Sequence, residues 1–402
     1  MSRLQHQMTF KTLTVLQEYL GDWHNLLMHQ KAACEILAEL YDPHSIMQSP
    51  MCRVIFCWCG RFDIFTSLIS GRETMLGREW FSVCQQYYRE RAVMYQDDIN
   101  HRIEEANASL RTIAIDMSIL SAKRVRESIH HDEFMDESDA LGRRILEWRS
   151  NMHPSLRDQA YAITLGGSPG PGSDSIADTY TPGTLFGGPL WPMNFALIGW
   201  YALILSHRHQ TALALQRQPP VEDERMAFQV CQLTEAIECY PEALPGAAFY
   251  AAHTSVAVAS LFLLKDDRHI AWARRKFAKI EQSGYIFPTD FRIKISEMWN
   301  IPDIKYDWLP NGGNNSDVIR SIRSSMNDQD RITSAGDVPS QDITDMKAIF
   351  GSMKLEEAQN ELSPVSGQSS VGFSDNVAAG PEFGDRDISE SQAHWEQLSG
   401  SH

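Results

Sequence analysis

The sequence predicts an all-α protein: a large multi-helix domain over residues 1–326, followed by an acidic and mostly disordered tail over 327–402. Three observations carry that expectation. Apolar residues recur at helical spacing from Trp23 to Trp299, while no strand-type alternation of useful length and no fixed-period repeat is visible. Hydrophobic residues make up 43% of the 402, enough for a large core. The formal charge of −16 is unevenly placed: 14 acidic against four basic residues from Asn327 to His402 give that segment −10.

The elements follow in order. Asp22 can cap a helix with apolar positions Trp23, Leu26, Leu27, Ala33, Cys34, Leu37, Leu40 and Tyr41, ended by Pro43. Ser49-Pro50 opens the next, which runs through Ile55, Phe56, Trp58, Cys59, Phe62, Phe65, Leu68 and Ile69 to Gly71. It is apolar nearly all round, so a central position is expected. Ile99, Ile103, Ala106, Leu110, Ile113, Met117 and Leu120 alternate spacings of four and three. That is a heptad seam for packing inside the domain or against a second copy. Leu141, Ile145 and Trp148 mark a further helix before His153-Pro154. A run rich in Gly and Pro from Gly166 to Pro189 reads as an exposed loop dividing two helical halves. The second half reads as helices over Asn194 to Leu215, Asp223 to Cys239, Pro245 to Leu264, Asp267 to Gly284 and Pro288 to Trp299. Phe195 to Leu205 is apolar but about half the ~20 residues a membrane span needs, and Ala243 to Leu264 contains Pro, Gly and His. Both are expected to be buried helices, with no membrane partner.

The tail combines acidity with isolated apolar anchors. Ile343, Met346, Phe350 and Met353 share one helical face, and Trp395 stands among acidic and polar residues. That composition suits a segment that offers its anchors to a partner groove, and these five residues are the candidate partner-binding positions. A solvated tail whose short helix docks back on the core fits the same pattern.

Catalytic signals fail on physical grounds. Gly166-Gly167-Ser168-Pro169-Gly170 matches a nucleophile elbow in letters, but Pro169 has no N–H to donate to an oxyanion. The run also lacks the Gly-Lys-Ser/Thr ending of a phosphate loop. Cys57 and Cys59 project roughly 200° apart on a helix and cannot share one ion. His207 and His209 diverge in the same way, and His130-His131-Asp132-Glu133 reads as a solvated turn. Lys123-Arg124-Val125-Arg126 and Arg274-Arg275-Lys276 read as solvated helix ends. Seven scattered cysteines suit a reducing compartment, and no apolar leader is visible after Met1. The expectation is no enzyme, no metal and no cofactor.

Particular residues suggest a relationship. Trp23 with His29-Gln30-Lys31-Ala32-Ala33, then Arg61-Phe62-Asp63, Ile64 to Leu68 and Gly71-Arg72-Glu73, resemble the opening blocks of the fungal-specific transcription factor regulatory domain. Leu261 to Arg268, Trp272 to Lys276, Ile280-Glu281, Gly284 to Pro288, Trp299 and Trp308-Leu309-Pro310 are similar to its C-terminal blocks. The resemblance spans Thr9 to Asn327. It implies an all-helical regulatory domain, a nuclear protein, control of transcription of a pathway or gene cluster, and homo- or heterodimers. Members of that zinc-cluster family usually carry a six-cysteine DNA-binding module, and this sequence has no C-x₂-C pair. DNA contact is therefore expected only indirectly, through other transcription regulators or the transcription machinery, unless the true start lies upstream and includes the module. The alternative is a helical small-molecule-binding protein or enzyme unrelated to transcription.

Overall fold

The computed structural model describes residues 23–70, 73–164, 184–214, 221–240, 247–287, 289–310 and Ser321. These residues are all-α apart from one short ladder. In chain order the helices are α1 (Trp23–Leu40), α2 (Pro50–Ser70), α3 (Arg78–Met94), α4 (Ile99–Val125), α5 (His131–Ser150), α6 (Trp191–Ala214), α7 (Val221–Cys239), α8 (Ala247–Ser260), α9 (Asp267–Gln282) and α10 (Thr289–Trp299). Short 3₁₀ turns join several of them.

α4 is the axis of the first half. It packs on α3, α5, α2 and α6. Asp98 caps it, its carboxylate accepting from Asn100 N at 2.9 Å. The chain leaves it through Glu127 at a left-handed φ of 53°. The heptad seam is buried at Ile103, Leu110, Ile113, Met117 and Leu120, but so are Glu104, Asn107, Arg111, Thr112 and Ser118. A two-stranded seam would leave those positions in water. Here helices enclose α4 on most sides, so packing within the chain accounts for the pattern. The side of α4 nearest solvent is tied down at Asp116, which takes Arg78 of α3 at 2.5 Å and Arg144 of α5 at 2.7 Å.

α2 is less central than its apolar sequence suggests. Ile55, Phe56, Cys59, Phe62 and Ile64 are buried, while Met51 and Val54 stand exposed. α3 escaped the sequence reading because its apolar residues are diluted by Arg, Glu and Gln. It buries only Phe81, Cys84, Tyr88 and Ala92, one thin stripe against α4.

The second half is layered on α6. This helix contacts α5, α7, α8 and α4, and α9 packs on α8. The stretch Gly188–Ala212 is long and apolar enough to cross a membrane, yet 78% of its most apolar window is buried inside the protein. Two buried tryptophan N–H groups at this packing find partners: Trp200 Nε1 of α6 donates to Ile145 O at 2.6 Å, and Trp148 Nε1 of α5 donates to Ala106 O at 3.0 Å. Gly284, at φ 110°, takes the left-handed position just past α9, where a Cβ would be strained.

One short ladder joins the helices: Ala162–Thr164 pairs antiparallel with Thr184–Phe186, which leaves the all-α class as expected. Three residues per strand are too few for a legible alternation. At its described end the Gly/Pro run is not wholly exposed, since Leu185 is fully buried, as is Leu190 just beyond it. The cause is Asn194 of α6, whose Oδ1 accepts from Phe186 N at 2.9 Å while its Nδ2 donates to Phe186 O at 2.8 Å. The side chain acts as an extra strand partner and draws residues 184–190 onto the core. Residues 165–183 lie outside the described set.

Leu110 is fully buried at the centre of α4. Leu110→Ala is expected to lower unfolding stability by about 2–5 kcal/mol in denaturant titration, whereas Met28→Ala at a 52% exposed site shifts it little.

Candidate functional site

The described residues bury polar groups at separate places, and the largest cluster lies between α4 and α2. Glu104, Asn107 and Arg111 are spaced three and four apart, so they share one face of α4. All three are buried. Arg111 Nη1 donates to Cys57 Sγ of α2 at 2.7 Å, and its Nη2 lies 3.7 Å from Glu104 Oε2. The Oδ1 atom of Asn107 has no hydrogen-bond partner among the described residues. A guanidinium beside a thiol favours the thiolate, which is the chemistry of a reactive cysteine. Cys57 is only 3% exposed, however, so no electrophile reaches it without an opening of the fold. The arrangement holds charge and joins α2 to α4; it does not present a nucleophile.

Asp63, further along α2, clamps the segment before α3. Its two carboxylate oxygens accept from Met75 N at 2.8 Å and Leu76 N at 2.7 Å. Burial pushes this carboxyl up to about 7, against the lowering effect of those two N–H donors. Nearby, Gln30 Nε2 donates to Cys34 Sγ at 3.1 Å and to Cys59 O at 2.9 Å. Burial, then the Asp63 charge, holds the Cys34 thiol well above its usual range. Cys34 is a core thiol in its protonated form.

The histidines do not meet. His207 Nε2 lies 3.1 Å from Ser138 Oγ and 3.0 Å from Ser138 O. Gly142 makes this approach possible, because a Cβ there would sit 2.9 Å from His207 Cε1. His209 instead meets the Phe262 ring edge-on at 5.6 Å. Burial brings both imidazoles down to about 4, so both are neutral near neutral pH. His130 and His131 open α5, where Asp132 and Glu133 complement the helix N-terminus. No group of three or more His, Cys, Asp or Glu able to hold a metal occurs among the described residues.

The two basic clusters are tie points rather than freely solvated helix ends. Lys123 pairs with Glu137 at 2.9 Å, Arg126 pairs with Glu73, and the Arg124 guanidinium lies 5.8 Å over the Phe134 ring. Arg274 donates to Trp308 O, and Lys276 bridges Glu235 at 2.8 Å and Glu238 at 2.5 Å. Sequence spacing gave no signal for these pairings, because the partners come from distant parts of the chain.

The C-terminal blocks converge on one aromatic cluster. Phe277 lies 4.6 Å from Trp308, 4.9 Å from Phe287, 5.6 Å from Phe291 and 6.4 Å from Trp299, centroid to centroid. Tyr285 joins at 5.1 Å from Phe287 and meets His253 of α8 at 4.1 Å. The five tail positions Ile343, Met346, Phe350, Met353 and Trp395 lie outside the described residues.

Two outcomes test these assignments. Arg111→Met removes one ion-pair partner of the buried Glu104 carboxylate and is expected to cost about 3–5 kcal/mol, with much of the loss recovered in the double variant Arg111→Met/Glu104→Gln. Full additivity of the two changes would count against the pairing. For Asp63 the folded value lies above the unfolded 3.8, so its contribution is complete below 3.8 and fades as pH rises through about 7. The melting temperature of the wild type should therefore fall more over that window than that of Asp63→Asn.

Comparison with known protein families, with curated proteins and with solved structures returns no match.

Proposed function

We propose that this chain is a nuclear regulator of transcription, of the kind found in the fungal zinc-cluster family, that works through partners. The observation that carries the reading is the order of the resembling blocks along the sequence, from Trp23 to Trp308-Leu309-Pro310. The uses of those residues support it. Asp63 clamps the start of α3, and Trp272, Tyr285, Phe287, Trp299 and Trp308 are buried. Blocks of this kind specify a helical scaffold, and the strongly shifted groups Asp63, His207 and His209 sit apart rather than around one reacting centre. In this reading the −10 segment 327–402 recruits other transcription regulators or the transcription machinery through its apolar anchors.

The test fuses residues 327–402 to a heterologous DNA-binding module ahead of a reporter gene. Activation is expected, and replacing Ile343, Met346, Phe350, Met353 and Trp395 by Ala should abolish most of it. A silent fusion, with full-length protein confined to the cytoplasm, contradicts the reading.

A further inference from the structure

We draw no further inference here: the strongest candidate, the buried side-chain cluster of Glu104, Asn107 and Arg111 between α4 and α2, belongs to the site already described, and the Oδ1 atom of Asp-free Asn107, without a hydrogen-bond partner among the described residues, does not by itself indicate what would bind there.

Discussion

The structure depends on the enclosure of α4. A helix of 27 residues with neighbours on most of its circumference has too few solvent-facing positions for its polar side chains. Some of them must enter the core, and a charge in the core must be matched. Arg111 is placed between Glu104 on its own helix and Cys57 on α2. The pairing fixes the rotation of α4 and its register against α2 together. On the outer side Asp116 receives one arginine from α3 and one from α5, so the same helix is also fixed from outside.

Farther from that axis, single side chains hold irregular segments by reproducing backbone hydrogen bonds. Asp63 presents two oxygens to consecutive N–H groups. Asn194 presents an acceptor and a donor to Phe186. Asp266 caps α9 through Arg268 N and His269 N, both at 3.0 Å. Each satisfies backbone groups that would otherwise be buried without partners, and each fixes a connection between helices. The C-terminal aromatic cluster closes the other end, where α9, α10 and the Trp308 segment meet around Phe277.

Much of the fold was legible because helical periodicity is a local property. The Ile99 to Leu120 seam and the Ser49-Pro50 start each carry their signal within a few residues. α3 was hidden because it buries one thin stripe among charged residues. The short ladder was hidden because its pairing depends on Asn194, eight residues beyond Phe186. The site residues were hardest to read. Arg111 belongs to no motif, and its partner Cys57 lies 54 positions away.

The first half of the described structure folds around α4. Amide hydrogen exchange along the full chain tests that claim most directly. The account predicts that the amides of residues 103–120 exchange most slowly, and only through global unfolding, with those of α3 exchanging earlier. Exchange of α4 before α3, or at the rate of the exposed helix ends, would contradict it.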